Sequence, residues 1–307
     1  MNKHFSKEWI DEICLKIGMP EEAKQDIIKT EEHLSINEVK ILQYQYQRLI
    51  NSITEISAAA DMQSMVNNDP LFGQKIMMVY LMAAKHTKEI YIDRGITLNV
   101  FYDTMKSFAV FEQSYKFEHG VWGFDKPYWA VNHLRMNLYR LGRLVFERAK
   151  FPFNKYKLQG EIIKKGDNVL MVHIPANEKL ELGLCQESYN IADKFSKKHF
   201  NFISKAFCCS SWLMHRGLEN ILQPQSNITK FQKEYEIINE TVYNEEPLKW
   251  IFGKTYESID DYPLSTTLQK NVIKYLKNNG ELGVGFGVRN INTDLNKNIK
   301  LRFLGGI

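Results

Sequence analysis

The sequence has no apolar run close to the ~20 residues that a membrane-spanning helix needs. Its first residues, MNKHFSKEWIDEI, also lack the apolar centre of a secretory signal peptide. Only 4 cysteines occur in 307 residues, and none of them has CxxC spacing, which argues against a disulfide framework and against a zinc site. These absences predict a cytoplasmic protein with buried free thiols and no bound metal.

Signals for several other classes of protein are missing as well. The sequence has no internal repeat, no low-complexity segment and no basic stripe of the kind that binds nucleic acid. Gly283, Gly285 and Gly287 are spaced like part of a dinucleotide fingerprint, but they follow a predicted helix instead of opening one, so that fingerprint is not supported. The length of 307 residues predicts two domains or one large one, with ample core.

Charge is distributed unevenly along the chain. Residues 1–114 carry 12 of the 40 Lys/Arg and 16 of the 36 Asp/Glu, which leaves residues 115–307 with 28 and 20, a net charge of +8. A basic C-terminal part suits an anionic ligand such as a phosphorylated cofactor. Scattered lysines that face solvent explain the same imbalance without any ligand.

Hydrophobic periodicity predicts helices throughout residues 1–114. The apolar positions from Trp9 to Ile17 mark one helix, and Ser35 with Glu38 three residues on forms a capping box that opens another. The pattern changes at residue 115, without a flexible Gly/Ser linker before it. We therefore expect a helical N-terminal domain that ends at residue 114.

The C-terminal part mixes strands with helices. Val169 to Ile174 is a short apolar run that Pro175 ends, which predicts an interior strand. The turn 164–168 before it predicts a hairpin with a strand at Lys155 to Ile163. An amphipathic helix should begin at Leu184 and lead to a parallel strand. The other predicted elements are a helix at Tyr128–Leu141, a half-buried strand in Gly142–Phe151, strands at Ala206–Trp212, Tyr235–Tyr243 and Leu282–Val288, and a helix at Leu264–Lys277.

Several of these stretches resemble a family of bacterial acyltransferases. The resemblance is carried by Val172–Pro175, Leu180, Ser188, Ala192, Cys209–Leu213, Ser226–Ile228 and Phe231, and it extends from about Ser35 to Gly287. That family joins a helical N-acyltransferase domain to a C-terminal domain like that of the GNAT N-acetyltransferases. The resemblance implies an α+β fold, with residues 1–114 forming the all-helical domain and residues 115–307 a GNAT-like mixed sheet flanked by helices.

The same resemblance implies an acyltransferase that moves an acyl group from acyl-CoA to an amine by direct transfer. Acyl-CoA would then be a co-substrate, and no cofactor or metal would be bound permanently. In GNAT enzymes the pantetheine lies where two parallel strands separate, here Val169–Ile174 and Phe207–Trp212, and the pyrophosphate meets the start of the next helix. The residues implied to bind CoA are Val172, Ile174, Lys179, Gly183, Leu184 and Ser211.

Four side chains are candidates for the chemistry of that transfer. His173 ends a central strand, and because imidazole in general titrates near neutrality it can serve as general base or acid, although a purely structural histidine fits the same position. Burial of Glu147 in its strand would raise its pKa and make it a usable base, whereas an outward Glu147 would form an ion pair. Tyr189 or Tyr235 could protonate the leaving thiolate, and the Ile174 N–H could stabilise the oxyanion.

Weaker signals keep other interpretations open. Cys209 and Ser211 have no recognisable His/Asp partners, so nucleophilic catalysis is the less favoured mechanism. Arg135, Arg140 and Arg143 could grip a carboxylate or phosphate, but a solvated basic face explains them as well.

The segment Ala176–Gly183 stands where GNAT enzymes in general have a glycine-containing phosphate loop, and its Glu178 and Glu181 would repel phosphate. A non-catalytic GNAT-like ligand-binding or regulatory protein is therefore the alternative function. A purely structural module has less support.

Overall fold

The computed structural model describes residues 6–67, 69–175 and 178–291. The chain forms two compact units, Met1–Arg140 and Leu141–Ile307. Residue 114, where the sequence pattern ends the helical domain, lies inside a continuous helix, Leu98–His119.

Helices build the described part of the N-terminal unit, as predicted. They are α1 (Lys7–Ile17), α2 (Glu21–His33), α3 (Ile36–Leu49), α4 (Glu55–Val66), α5 (Gln74–Asp93), α6 (Leu98–His119) and α7 (Pro127–Leu134). The capping box at Ser35 and Glu38 is present with both of its hydrogen bonds. The predicted helix Tyr128–Leu141 is wrong beyond Leu134, since Met136 adopts a left-handed φ of 55° that a helix cannot continue through.

The core of this unit is organised around α5, which packs against α1, α2, α3, α6 and α7. Tyr80 of α5 makes edge-to-face contacts with Phe108 at 6.2 Å and with Phe124 at 5.5 Å between ring centroids. Its hydroxyl donates to the carbonyl of Pro127 at 2.6 Å, so the one polar atom of a fully buried ring is satisfied. Each large side chain buried in this way stabilises the unit by about 1.5–3 kcal/mol.

The second part of the chain contains a mixed sheet flanked by helices, again as predicted. The strands are β1 (Leu138–Leu141), which includes the boundary between the two units, β2 (Leu144–Lys150), β3 (Lys155–Leu158), β4 (Glu161–Lys164), β5 (Asn168–His173), β6 (Ala206–Ser211), β7 (Glu236–Val242) and β8 (Gly283–Asn290). Its helices are α8 (Leu182–Phe200), α9 (Asn227–Gln232), α10 (Glu245–Phe252) and α11 (Thr267–Lys277). Six strands form one sheet in the order β1-β2-β5-β6-β8-β7.

Strand directions follow the expected α/β pattern at the centre of the sheet. β5 runs parallel to β6, the two being connected by α8, while β2 pairs antiparallel with β5 on its other side. On one face of the sheet, Phe146 and Phe207 contact the ring of Tyr189 from α8 at 6.0 and 4.8 Å between centroids. Val169 points to the opposite face, where it joins a buried cluster with Phe286.

The segment between β2 and β5 departs from its prediction. Lys155–Ile163 is not one strand but a two-stranded hairpin, β3–β4, which turns at Gln159 and Gly160 with φ values of 47° and 96°. The predicted hairpin between this segment and β5 is also wrong, because β4 pairs with β3 in a separate sheet. Burial explains the difference: Leu158 and Ile163 bury their side chains in the cluster that contains Val169, so the hairpin covers the large sheet instead of extending it.

Among the described helices, none is long and apolar enough to cross a membrane. The four cysteines are buried and free.

Candidate functional site

Glu147 and His173 meet on neighbouring strands at the centre of the sheet. In the register of β2 and β5, Val145 lies opposite His173 and Glu147 lies opposite Met171. Because alternate residues of a strand share a face, His173 and Glu147 are diagonal neighbours on one face. The Nε2 atom of His173 lies 2.9 Å from Oε2 of Glu147. Two candidates for the general base, considered separately in the sequence, are therefore hydrogen-bonded partners.

The environment of this pair suits proton transfer. The His173 and Glu147 side chains are 29% and 24% exposed, so both are partly shielded yet within reach of a ligand. A carboxylate that accepts the Nε2–H of a neutral imidazole fixes its tautomer and leaves Nδ1 as the basic nitrogen. Once the ring gains a proton, the same hydrogen bond becomes an ion pair that stabilises the imidazolium.

Beside the pair, the two parallel strands separate. β5 and β6 pair at Leu170–Phe207 and at Met171–Cys208. Both strands continue towards their carboxyl ends, but the described residues form no further pair between them. The opening therefore lies on the side where the resemblance implies a thioester cleft, next to the strand that carries His173.

Three of the residues implied to bind CoA lie at these strand ends. Val172 is fully buried, whereas Ile174 just after β5 is half-buried. Ser211 is the last residue of β6, and its hydroxyl accepts the Leu213 N–H at 3.2 Å at the start of a short 3-10 turn. The fold brings all three to the carboxyl side of the sheet, and their role in binding stays a prediction.

Of the other three implied residues, Gly183 and Leu184 lie in the first turn of α8 and Lys179 lies just before it; the helix begins two residues earlier than predicted. The side chain of its N-cap residue, Glu181, accepts no hydrogen bond from the first N–H groups of the helix, so it does not satisfy them. A Cβ added to Gly183 would meet nothing within 4 Å, and Leu184 and Lys179 are exposed. This helix start is therefore sterically open, with the positive end of the helix dipole at its surface.

Arg143 connects the start of β2 to the segment between β5 and α8. Its guanidinium is buried and donates to the carbonyls of Pro175 at 3.1 Å, Glu178 at 2.7 Å and Lys179 at 2.8 Å. The sequence indicates this arginine as a possible ligand for phosphate or carboxylate, but three of its hydrogen bonds go to backbone carbonyls. Ala176 and Asn177 of the same segment lie outside the described residues.

A contact between Arg143 and Ser188, which the sequence analysis does not predict, fixes the position of the arginine. Ser188 of α8 is fully buried, and its Oγ accepts the Arg143 N–H at 2.9 Å and donates to the carbonyl of Leu184 at 2.7 Å. Gly142 has a φ of 73°, and a Cβ on it would lie 2.8 Å from that same Oγ. In the sequence, the glycine directly before the strand is the residue that indicates such a close approach of the backbone.

The remaining arginines lie elsewhere. Arg135 forms an ion pair with Glu55 in the N-terminal unit, with 2.5 Å between Nε and Oε1. Arg140 is the last residue of that unit, and its N–H donates to Oγ1 of Thr104 at 3.0 Å.

Tyr189 and Tyr235 are in the interior of the C-terminal unit. Their hydroxyl oxygens are 2.6 Å apart, and the guanidinium of Arg289 stacks on the Tyr189 ring at 4.1 Å. Burial raises the pKa of both phenols well above the usual range. This environment is typical of core packing, and the role of Tyr189 as a catalytic acid stays a prediction.

The alternative nucleophile gains no support from its surroundings. Burial raises the pKa of the Cys209 thiol to about 12, so hardly any thiolate exists at neutral pH. In the described part of the chain, no group of His, Cys, Asp and Glu is arranged to hold a metal ion.

Two family models match this chain and together cover most of it. Residues 8–136 match the N-acyltransferase N-terminal domain, and residues 138–289 match the GNAT-like C-terminal domain. No curated protein sequence matches the chain.

Solved structures of acyltransferases share the fold. One, in complex with CoA and 10C-teicoplanin, has a TM-score of 0.75 at 18% identity and covers 94% of this chain and 88% of its own. A mutant acyltransferase in complex with octanoyl-CoA gives 0.74 at 19% identity, covering 93% and 88%. A complex with decanoyl-CoA and teicoplanin gives 0.73 at 19% identity, covering 92% and 87%. At these identities the likeness shows a common fold.

Proposed function

Because the chain belongs to the acyltransferases that join an N-acyltransferase N-terminal domain to a GNAT-like C-terminal domain, we propose that it transfers an acyl group from acyl-CoA to an amine. The observation that carries this proposal is the His173–Glu147 pair at 2.9 Å, next to the point where β5 and β6 separate. A basic nitrogen, a partner carboxylate and an open strand end are the parts that direct transfer requires.

In the proposed mechanism His173 is the general base. Its Nδ1 takes a proton from the acceptor amine, and the amine nitrogen attacks the thioester carbonyl carbon. Glu147 stabilises the imidazolium that forms. The oxyanion of the tetrahedral intermediate accepts a hydrogen bond from the Ile174 N–H. Its collapse breaks the C–S bond, and the sulfur leaves as the CoA thiol by taking a proton from Tyr189 or from the His173 imidazolium, which restores the neutral base.

The acyl donor is proposed from two independent features. Proteins of the same fold are complexed with octanoyl-CoA and decanoyl-CoA, which supports acyl-CoA as the co-substrate here. The start of α8 offers N–H groups and a positive dipole end to the pyrophosphate of such a donor. Neighbours complexed with teicoplanin support a small-molecule acceptor, and an amine is the acceptor that we propose.

A ligand-binding or regulatory protein without turnover is the second candidate. It is favoured by Glu178 and Glu181, which place two carboxyl groups beside the helix start that would meet phosphate. The two functions differ in one measurement, the release of CoA thiol from octanoyl-CoA when a panel of primary amines is added. Thiol release that depends on the amine supports the enzyme, whereas donor binding without release supports the second candidate.

Octanoyl-CoA is expected to raise the melting temperature of the protein, because a ligand that binds only the folded state stabilises it. At a concentration of 100 times Kd the gain is about 2.7 kcal/mol. Differential scanning calorimetry with octanoyl-CoA, and with octanoate as the control that lacks the CoA part, measures the effect. An unchanged melting temperature at millimolar octanoyl-CoA, together with no heat in isothermal titration, would contradict donor binding.

A further inference from the structure

The segment between β5 and α8 poses a problem for the proposed function. It lacks the glycine-containing phosphate loop of GNAT enzymes in general and carries Glu178 and Glu181 instead. We propose that Arg143 acts in place of that loop as a positioning residue, holding the backbone of Glu178–Leu180 so that its N–H groups face the phosphates of the donor. The inference rests on the proposed function and assigns the residue that makes donor recognition possible in this chain.

The backbone groups next to Arg143 have a fixed direction. In a trans peptide unit the C=O and the following N–H point in opposite directions. The carbonyls of Glu178 and Lys179 face the Arg143 guanidinium, so the N–H groups of Lys179 and Leu180 are directed away from it. Neither N–H donates to another of the described residues. Lys179 and Leu180 lie one turn or less before α8. The first N–H groups of that helix point towards its N-terminal end, which is the positive end of the helix dipole.

Arg143 also brings a positive charge to the segment. An arginine remains protonated at any ordinary pH, so a fixed positive charge lies beneath the segment. Arg143 is 5% exposed, and solvent screens the charge of such a buried side chain only weakly from a group that lies close to it. Together with the N-terminal end of the 19-residue α8, it offsets the carboxylates of Glu178 and Glu181 towards an approaching phosphate.

Arg143 is itself held in place. Its own N–H donates to Ser188 Oγ, and Ser188 lies in the second turn of α8. The close approach of Gly142 to the same oxygen leaves no room for a side chain there. The turn before β2 is thus fixed to α8, and through the Arg143 side chain it fixes the carbonyls of Pro175, Glu178 and Lys179.

Two donors separate a role towards phosphate from a general structural role. Octanoyl-CoA carries the phosphates, and octanoyl-pantetheine has the same thioester without them. Arg143→Met should raise KM for octanoyl-CoA about 10- to 100-fold, because the variant loses the positive charge beneath the segment and the charge-assisted hydrogen bonds that hold its backbone. KM for octanoyl-pantetheine should rise much less than KM for octanoyl-CoA, since that donor carries no phosphates for the segment to bind.

Arg216→Met is the matched control. Arg216 also donates to a backbone carbonyl, that of Ile237 at 2.7 Å, and pairs with Glu240 at 2.6 Å. Both of these partners belong to β7 and not to the segment between β5 and α8. It should change KM for neither donor. Arg143→Lys keeps the charge and loses the forked geometry, so its KM for octanoyl-CoA should fall between those of wild type and Arg143→Met.

Each outcome decides the matter. A wild-type protein that neither binds nor uses octanoyl-CoA overturns the proposed function itself. A wild type that uses octanoyl-CoA, with unchanged KM in Arg143→Met, overturns only the role of Arg143. An equal rise of KM for both donors also overturns it, since the phosphates would then be irrelevant. If Arg143→Met does not fold, Arg143→Lys alone decides, and a KM for octanoyl-CoA equal to that of wild type counts against the role.

Discussion

Replacing His173 with glutamine is expected to lower turnover of acyl-CoA about 10²- to 10⁴-fold, the usual range for loss of general acid–base catalysis. The side-chain amide of the introduced glutamine can still donate a hydrogen bond to Glu147, which His173 contacts at 2.9 Å, so the local structure should be kept. An amide nitrogen cannot accept a proton, so only the chemical step should suffer. The affinity for octanoyl-CoA, measured by titration calorimetry, should remain that of wild type.

Stability must be measured on the same variant. If His173 has only a structural role, His173→Gln should lower the free energy of unfolding by roughly 1–3 kcal/mol and leave the activity of the folded molecules intact. His199→Gln, a histidine substitution near the end of α8, is the control and should have normal turnover. Normal turnover from folded His173→Gln would remove the histidine from the mechanism and leave Glu147 as the candidate base.

Glu147→Gln tests the pair as a unit. The neutral amide can accept the Nε2–H of His173 but cannot stabilise the imidazolium, so the rate should fall less than in His173→Gln. The double variant should lose little more than His173→Gln alone, because residues that act together have non-additive effects. Additive losses would mean that the two residues act separately.

Sequence patterns predicted this site only in part, for a physical reason. The alternation in β2 and the apolar run of β5 depend on neighbouring residues, so both strands were identified from the sequence. The hydrogen bond between Glu147 and His173 depends on the register between strands, which no local pattern contains. Each residue could therefore be named as a candidate, but the pair could not.

For the β3–β4 hairpin, a local pattern predicted a pairing that the fold does not contain. The turn 164–168 carried a strong local hairpin signal, yet β4 does not pair with β5. Burial of Leu158 and Ile163 against Phe151 decided the arrangement, and that contact depends on the tertiary fold. Resemblance to the family indicated the parallel strands and the start of α8, whereas the Arg143–Ser188 contact required the structure.

Glu112 of the N-terminal unit gives the second large expected effect. Its carboxyl group is fully buried in α6, where it accepts hydrogen bonds from Gln74 Nε2 at 3.0 Å and from the Gly123 N–H. Burial, with a smaller contribution from Asp26, raises the pKa of Glu112 to about 8 despite those two hydrogen bonds. In the described part of the chain, the Oε1 atoms of both Glu112 and Gln74 are buried without a partner. A protonated Glu112 supplies the donor that these two acceptors lack.

The sign of the pH dependence follows from that pKa. In the unfolded chain the pKa of Glu112 is near its ordinary value of 4.5, and in the folded protein it is about 8. The folded state therefore binds more protons between these two values, so this contribution to stability is complete below pH 4.5 and is lost as the pH rises to about 8. A difference of this size corresponds to roughly 3–5 kcal/mol in the free energy of unfolding.

Glu112→Gln is expected to remove this pH dependence, since glutamine is a neutral side chain of the same shape that donates a hydrogen bond as the protonated acid does. Urea unfolding at about pH 5 and about pH 9 should give a wild-type protein that loses stability relative to the variant by roughly 3–5 kcal/mol across that interval. Glu118→Gln, an exposed carboxyl group on the same helix, is the matched control and should follow wild type at both pH values. Parallel pH profiles for wild type and Glu112→Gln would show that Glu112 is ionised in the folded protein, and that the two buried oxygens are satisfied in another way.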